Sequence, residues 1–363
     1  CGFIPTFILA PLAGVWADRY NRKMLIVLSD GLIAIATLIL AILFLAGYDA
    51  IWLLFVISAV RAVGTGIQNP AVGAILPQIV PKEMLTRVNG INGSLQSLIT
   101  LLSPMASAGL LTIASLEIIF FVDVITAAFA ILILLVFFHV KAHEKASKKQ
   151  TTSYFDDLKQ GLAYIRTHNF LKRFFLFFAV FFVLIAPAAF LTPLQVTRSF
   201  GDDVWRLTAI EVSFSVGMIL GGGIIASWKG FANKVHTMVL ASLVMGVCTF
   251  ALGIVPVFWI YLLFMTVFGV AMPVFNTPTT VLLQEKVEEN YLGRVFGVFG
   301  MIATSMMPIG MLVFGPIADV IKIELLLVVT GLLIIILGIS LGQNKVLLNA
   351  GKPAIEEPAQ VLE

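Results

Sequence analysis

Three ionisable side chains stand inside long apolar stretches of this sequence, where a charge is costly and therefore marks a candidate functional site. They are Arg61, Asp123 and Glu211. A carboxylate in such a place can load and release a proton, which is the chemistry of proton-coupled processes. Arg61 keeps its charge, so it would act by biasing a carboxylate partner or an anionic group of a ligand.

The depth of each side chain follows from the helical rise. At about 1.5 Å per residue, Arg61 lies roughly 15 Å inside its stretch, and the two acids lie roughly 8 Å from the outer ends of theirs. Ser213, Ser215 and a glycine-rich run follow Glu211, which favours it over Asp123 as the proton carrier. A simpler interpretation stays open: Arg61 as a structural hydrogen-bond donor, and both acids as residues of the membrane–water interface.

Polar and aromatic side chains inside other apolar stretches are candidates for lining a ligand cavity. The polar ones are Gln96, Gln195 and Asn276, and the aromatic ones are Phe177, Phe178, Phe181 and Phe182. Aromatic surfaces with few polar anchors suit large amphipathic ligands. Phenylalanine side chains that simply face lipid are the alternative.

The composition indicates the environment of these residues. The chain of 363 residues is 60% apolar and 12% charged, with a mean hydropathy of +1.03, whereas soluble domains are about 45–50% apolar and about 25% charged. We predict a polytopic, all-α membrane protein that is embedded in the lipid bilayer. Eleven stretches approach the roughly 20 apolar residues that cross a bilayer: 2–17, 24–46, 51–70, 88–113, 117–139, 173–197, 207–228, 235–255, 258–283, 294–318 and 323–342.

Signatures of catalysis and of cofactor binding do not occur in the sequence. It contains no Walker A phosphate loop, and its Asp-Asp pairs lack the further aspartates of a diphosphate site. Cys1 and Cys248 lie far apart, without the spacing of a metal site. We therefore predict a protein that is not an enzyme and holds no cofactor or metal. Transport would then be driven by an ion gradient or by the solute's own gradient.

The connecting loops predict the orientation in the membrane. Lys and Arg gather in every second loop, beginning after the first stretch, while the intervening loops hold only Arg198, Arg206 and Lys322. By the positive-inside rule, the basic loops and the carboxyl terminus lie in the cytoplasm. The same alternation accounts for the net charge of +3, so nucleic acid is not a predicted partner.

An internal repeat predicts two halves. Leu85-Thr86-Arg87-Val88 matches Leu292-Gly293-Arg294-Val295 at an offset of about 207 residues. That offset maps the seventh and eighth stretches onto the first and second, and the sixth onto a position before residue 1. We therefore predict twelve helices in the intact protein, eleven of them in this chain, in two parallel halves. The predicted parts are residues 1–139, the first half; 140–172, a cytoplasmic linker; 173–342, the second half; and 343–363, a disordered tail.

The linker contains a predicted amphipathic helix. Its apolar residues at helical spacing follow a Ser153-x-x-Asp156 capping box. We expect this helix to lie on the inner membrane face. The apolar residues are Phe155, Leu158, Leu162 and Ile165.

A densely charged turn separates the first two apolar stretches. It resembles the signature loop between the second and third helices of the major facilitator superfamily, on the residues Gly14, Asp18, Arg19, Arg22 and Lys23. Asn21 stands where that family usually has glycine. The resemblance implies that Asp18 accepts hydrogen bonds from the amino end of a facing helix and from an arginine, and so forms a cytoplasmic latch between the halves. Asp30 is expected to belong to the same network.

Further stretches resemble the bacterial macrolide-efflux branch of the drug:proton antiporters. They are residues 61–70, 76–86, 94–97 and 284–296. The resemblance implies a major facilitator fold with the substrate site between the halves near the midplane. It also implies a monomer in the bacterial cytoplasmic membrane that exports amphipathic or hydrophobic, macrolide-like drugs in exchange for protons. The glycine-proline motif of antiporters is present only as Ser103-Pro104 followed by Gly109.

Two other functions stay open. The same fold could serve a permease or exporter of a siderophore, a lipid or a metabolite, which substrate-stimulated proton flux in vesicles would distinguish from drug export. The chain could also be an inactive, truncated transporter.

Overall fold

Helices make up the part of the chain that the structure describes. The computed structural model describes residues 3–48, 50–138, 140 and 153–353. Its helices are α1 Phe3–Arg19, α2 Arg22–Leu45, α3 Ile51–Ile79, α4 Leu85–Ile113, α5 Leu116–Phe137, α6 Tyr154–Thr167, α7 Asn169–Phe190, α8 Thr192–Ser199, α9 Val204–Trp228, α10 Lys234–Leu252, α11 Phe258–Lys286, α12 Leu292–Val320, α13 Ile323–Gln343 and α14 Lys345–Ala350. Short 3-10 turns at Lys82–Met84 and Glu289–Tyr291 precede α4 and α12.

The predicted all-α membrane architecture is confirmed. Every predicted stretch is helical, because these residues are apolar around the whole helix and satisfy their backbone groups internally, as a bilayer demands. Within the described ranges, ten helical segments are long and apolar enough to cross a membrane. Helix α1 has 17 residues and falls short of that length. The predicted count of eleven helices out of twelve therefore stays a prediction.

Two helix pairs join the first five helices to the later ones. Helix α1 packs along α12, and α4 packs along α9. Both pairs approach closely at glycine: a Cβ on Gly14 would overlap the carbonyl oxygen of Gly293, and a Cβ on Gly222 would overlap the side chain of Ser94. Small residues allow such backbone approach between membrane helices. Both contacts lie at the end of the bundle that carries the charged turns.

The opposite end of the bundle is more open. From Leu98 to Ser107, every side chain of α4 except Leu101 is exposed. The far part of α12 is similar, because Leu312 and Val320 are 76% and 88% exposed. At this end, the side chains of α4 and α12 are therefore less covered by neighbouring helices than at the charged end.

The linker helix buries only part of its predicted apolar stripe. Ile165 of that stripe is buried together with Asp157 and Gly161, while Phe155 and Leu162 are exposed, and the position on the inner membrane face stays a prediction. The predicted capping box is also wrong, because the Ser153 side chain makes no capping hydrogen bond. The cause is tertiary packing: α6 lies against α1 and α12 at the charged end of the bundle. The linker residues 141–152 lie outside the described ranges.

The tail is partly ordered, contrary to the prediction for 343–363. Helix α14 occupies Lys345–Ala350, and Asn344 caps it by accepting hydrogen bonds from the backbone N–H groups of Val346 and Leu347. Leu347 is buried, so this helix is anchored by packing as well as by its cap. Residues 354–363 lie outside the described ranges.

Candidate functional site

A buried carboxylate links α1 to α12. Asp18, in the last turn of α1, is fully buried. It accepts hydrogen bonds from the backbone N–H of Gly293 at 2.7 Å and of Arg294 at 3.1 Å, and from Nε of Arg294 at 3.0 Å. The first N–H groups of a helix lack partners within the helix and attract negative charge. Asp18 thus caps a helix that lies 275 residues further along the chain.

Arg22 extends the same contact to a third helix. Its Nη2 lies 3.7 Å from the Asp18 carboxylate. Its other hydrogen bonds go to main-chain carbonyl oxygens: Ala17 at 3.1 Å, Ala74 in α3 at 2.9 Å and Glu289 at 2.8 Å. The Glu289 carboxylate also lies 3.8 Å from Nη1, so the charge of this buried guanidinium is met by two carboxylates and three carbonyl dipoles, which is how a buried arginine is tolerated.

The linker helix contributes a second buried carboxylate. Asp157 of α6 accepts a hydrogen bond from Nε of Arg19 at 2.6 Å. Its main-chain oxygen accepts one from Nη1 of Arg294 at 2.9 Å, and Arg19 also donates to the Ser153 carbonyl at 2.8 Å. We call these five buried residues, Asp18, Arg19, Arg22, Asp157 and Arg294, the charge cluster. Sequence reasoning missed Asp157, because its partners lie more than 130 positions away.

Aromatic rings cover the charge cluster. Tyr164 of α6 stacks on Tyr291 with ring centroids 4.2 Å apart, and the Arg294 guanidinium lies 4.4 Å from the centre of the Tyr291 ring. On the other side, the Arg19 guanidinium lies 4.3 Å from the Tyr154 ring. Burial raises the pKa of the Tyr164 hydroxyl, so this ring stays neutral beside the cluster.

Two of the predicted latch residues make their contacts elsewhere. Lys23 donates to the carbonyl oxygens of Leu135 at 3.2 Å and Phe138 at 2.6 Å, at the end of α5. Asp30 accepts a hydrogen bond from Gln68 of α3 at 2.6 Å. Both therefore stabilise the packing among α2, α3 and α5 and lie outside the charge cluster. Gly14, Asp18, Arg19 and Arg22 are brought together at α12.

Neutral amides link the two sets of helices a short distance away. Gln284 of α11 donates to the Gly73 carbonyl at 3.1 Å and accepts from Nδ2 of Asn89 at 3.0 Å. The offset of about 207 residues places the counterpart of Asp18 at 18 + 207 = 225, which is Ile225 in α9. The α4–α9 contact therefore lacks the carboxylate that the α1–α12 contact has at the matching position.

An apolar cavity of about 270 Å³ lies among α7, α8, α9, α11 and α12. Glu211 is the one carboxylate among the described residues that line it. Its walls are otherwise methionine, phenylalanine and small side chains: Ile185, Ala188, Ala189, Thr192, Phe214, Met265, Phe268, Met272 and Met307. A polarizable, adaptable wall with a single charge suits an amphipathic ligand.

The structure pairs the two other ionisable candidates with each other. Nη1 of Arg61 lies 2.6 Å from Oδ2 of Asp123 and also donates to the Thr37 hydroxyl at 2.8 Å. Both charged side chains are a little under half exposed. The pair joins α2, α3 and α5 and is separate from Glu211 and from the charge cluster.

The predicted cavity residues have different surroundings. Gln96 and Asn276 are exposed, on the neighbouring helices α4 and α11. Gln195 is buried and uses both ends of its amide, donating to the Leu252 carbonyl at 2.8 Å and accepting from the Tyr261 hydroxyl at 2.9 Å. The prediction for Gln195 as a cavity residue is therefore wrong in this conformation, because it is a structural tie.

The prediction of Phe178 as a cavity residue is likewise wrong. It is fully buried in an aromatic cluster that joins α7, α11 and α12, with its ring centroid 5.4 Å from that of Phe275 and 5.2 Å from that of Phe299. Phe182 is partly buried and packs against Phe178 at 5.8 Å between centroids. Aromatic rings at helical spacing build the core of this half.

These features define a membrane transporter. Long apolar helices meet at one end through a buried charge cluster, and an apolar cavity with a single acid lies beside them. The model of the Major Facilitator Superfamily matches residues 1–311, and the chain belongs to this family. The members of this superfamily are transporters and not enzymes.

Curated relatives share moderate identity over most of the chain. The macrolide efflux protein A of Streptococcus pyogenes is 28% identical over 340 residues, which cover 93% of this chain and 84% of that protein. The macrolide efflux protein A of Enterococcus faecalis is 28% identical over 312 residues, which cover 85% of this chain and 96% of that protein.

Solved structures share the fold. The human organic anion transporter MFSD10 superposes with a TM-score of 0.80 at 16% identity, covering 94% of this chain and 82% of that one. A bacterial homologue of the iron transporter ferroportin, in its outward-facing state, superposes with a TM-score of 0.70 at 15% identity, covering 94% of this chain and 89% of that one.

Proposed function

We propose that this transporter exports amphipathic or hydrophobic small molecules of the macrolide class across the bacterial cytoplasmic membrane in exchange for protons. The observation that carries the proposal is the cavity with Glu211 as its acid, in a chain whose relatives are named for macrolide efflux.

The charge cluster would act as the latch of alternating access. Opening the charged end requires α1 and α12 to separate, which breaks all three hydrogen bonds from α12 to Asp18. Removing one partner from a buried charge pair typically costs about 3–5 kcal/mol. The latch therefore favours the state that is closed at the charged end, which is the cytoplasmic side by the orientation we infer from the basic loops, and ligand or proton binding must shift the balance.

Glu211 would exchange a proton for the cargo. The exposed Glu211 side chain borders a cavity that is otherwise walled by uncharged side chains, so either a proton or a cationic group of the cargo can neutralise its charge. Because both relieve the same charge, they compete, and this competition couples inward proton movement to outward cargo movement. The Arg61–Asp123 pair is a second candidate for coupling, since protonation of Asp123 would release Arg61 from its 2.6 Å contact.

The test is drug accumulation in cells that express the protein. We expect expression to lower the accumulation of a radiolabelled macrolide and an uncoupler to abolish the difference. Glu211→Gln should remove at least nine-tenths of the export, because a neutral amide cannot carry a proton. Glu117→Gln, which changes a partly exposed acid in the first turn of α5, is the matched control and should export normally.

Two outcomes would contradict the proposal. Export that is insensitive to the uncoupler would remove proton exchange, and full export by Glu211→Gln would remove the role of that acid. Absence of macrolide export, together with proton flux stimulated by a siderophore, a lipid or a metabolite in vesicles, would replace the cargo and keep the transporter.

A further inference from the structure

A groove of about 240 Å³ opens on the outside of the bundle and shares no lining residue with the cavity that contains Glu211. It lies between α7 and α13 and is closed at one end by α14, at the charged end of the bundle. The groove has an apolar part and a polar part. Leu176, Val180 and Leu337 line the apolar part, while Arg173 and Asn344 line the polar part.

The polar part carries unbalanced positive charge. Nη1 of Arg173 donates to Oδ1 of Asn344 at 3.2 Å, and that side chain is neutral. None of the ion pairs among the described residues includes Arg173. Lys172 precedes it in α7, and Lys345 follows Asn344 at the start of α14; both lysines are exposed. Arg173 therefore lines the polar end of the groove, and two exposed lysines next to its lining residues in sequence add positive charge at the same end of the bundle.

The apolar part extends into the membrane from this charge. Val180 lies seven positions after Arg173 along α7, which is about 10 Å at the helical rise. Leu176 and Val180 are 65% and 40% exposed, so the groove is open to surrounding lipid along this length. A positive end and an apolar length of this size complement a molecule with an anionic head and a hydrocarbon tail.

We propose that this groove binds an anionic phospholipid from the leaflet on the side of the charged turns. Arg173, with Lys172 and Lys345, binds the phosphate, because guanidinium and ammonium groups form charge-assisted hydrogen bonds with phosphate oxygens. An acyl chain lies along Leu176, Val180 and Leu337. Free phosphate would leave this apolar wall uncovered, so the lipid is the occupant that matches both parts of the groove.

The test measures lipid retention by the full chain in detergent. The purified protein is titrated with a short-chain phosphatidylglycerol and, separately, with the matching phosphatidylcholine, and the bound lipid is counted by native mass spectrometry. We expect phosphatidylglycerol to bind more tightly than phosphatidylcholine. Arg173→Gln should weaken phosphatidylglycerol binding about fivefold, the effect of one cation near a lipid headgroup.

A matched variant controls for general surface charge. Lys229→Asn removes one positive charge at the same end of the bundle, away from the groove. Lys229 has a left-handed φ of 65°, which asparagine tolerates. Its phosphatidylglycerol affinity should equal that of the unmodified chain. Val180→Trp, which fills the apolar part, should weaken both lipids.

Three results would overturn the proposal. Unchanged phosphatidylglycerol affinity in Arg173→Gln would remove the headgroup site, and an equal loss in Lys229→Asn would reduce the effect to surface charge. Displacement of the lipid by inorganic phosphate at millimolar concentration would identify a free anion as the occupant.

Discussion

Asp18 gains its function from the partners that it reaches across the molecule. In sequence it is an acid at the end of an apolar helix, and only the resemblance of the charged turn to the family's signature loop predicts its partners. In the structure it is fully buried and accepts two backbone N–H groups at the start of α12 as well as the Arg294 side chain. A buried carboxylate with several donors stabilises whichever state holds them together. In the function that we propose, the residue therefore acts as a latch only in the conformation that is closed at the charged end.

Asp18→Asn tests this role directly. The amide keeps the shape of the side chain but removes the charge, leaving Arg294 and Arg22 without their carboxylate. We expect the closed conformation to lose about 3 kcal/mol of stability, and transport to fall at least tenfold. The thermal unfolding midpoint measures the loss of stability, and the export rate measures the fall in transport.

Asp30→Asn is the matched control for Asp18→Asn. Asp30 is an acid of the same segment that bonds to Gln68 and lies outside the charge cluster. Its substitution should leave both the unfolding midpoint and the export rate near their original values. Equal effects of the two substitutions would contradict the latch.

The linker helix α6 lies across the charge cluster and braces it. It buries Asp157 against Arg19, places Gly161 against the aliphatic part of Arg294, and stacks Tyr164 on Tyr291. These residues of α6 contact α1 on one side of the α1–α12 interface and α12 on the other side. The brace therefore stabilises the same closed state as Asp18.

Two neighbouring aspartates of α6 provide a test of the brace. Asp157 is buried in the charge cluster, while Asp156 is exposed one position earlier. Asp157→Asn should raise the hydrogen exchange rate of the backbone amides in 154–167 by up to about a hundredfold, which corresponds to ~3 kcal/mol of lost local stability. Asp156→Asn should leave that exchange unchanged, and a similar rise in both variants would refute the brace.

The sequence predicts secondary-structure elements well where a single physical constraint determines their conformation. Apolar stretches become membrane helices because the bilayer allows little else. The orientation of α6 is not predictable in this way, because packing against α1 and α12 buries Asp157 and Gly161 together with only part of the apolar stripe. Asp157 in the charge cluster is hidden for the same reason, since its partners come from distant parts of the chain.

Polar residues inside apolar stretches show a similar limit. Gln195 and Gln96 both stand inside apolar stretches of the sequence. In the structure, Gln195 is buried and bonds to one main-chain carbonyl and one tyrosine hydroxyl, whereas Gln96 is exposed. A hydrogen-bonding side chain within a span can meet a ligand or a neighbouring helix, and the sequence does not distinguish them. Arg61 and Asp123 were each predicted separately, and only the structure joins them as a pair.

The whole molecule combines a closed end with an open end. The α1–α12 and α4–α9 contacts meet through glycine at the charged end, while α4 and α12 are widely exposed towards the other. Only the first contact contains an acid at the matching position of the internal repeat.

The central claim is that the charged end opens as the other end closes. Pulsed electron–electron resonance can measure both distances, between spin labels at Lys82 and Lys229 near the charged end, and between labels at Leu111 and Val204 near the other end, in a chain without Cys1 and Cys248. On addition of a macrolide, we predict a longer Lys82–Lys229 distance and a shorter Leu111–Val204 distance, with Asp18→Asn already shifted in that direction before addition. Distances that stay constant, or that change in the same direction at both ends, would contradict the account.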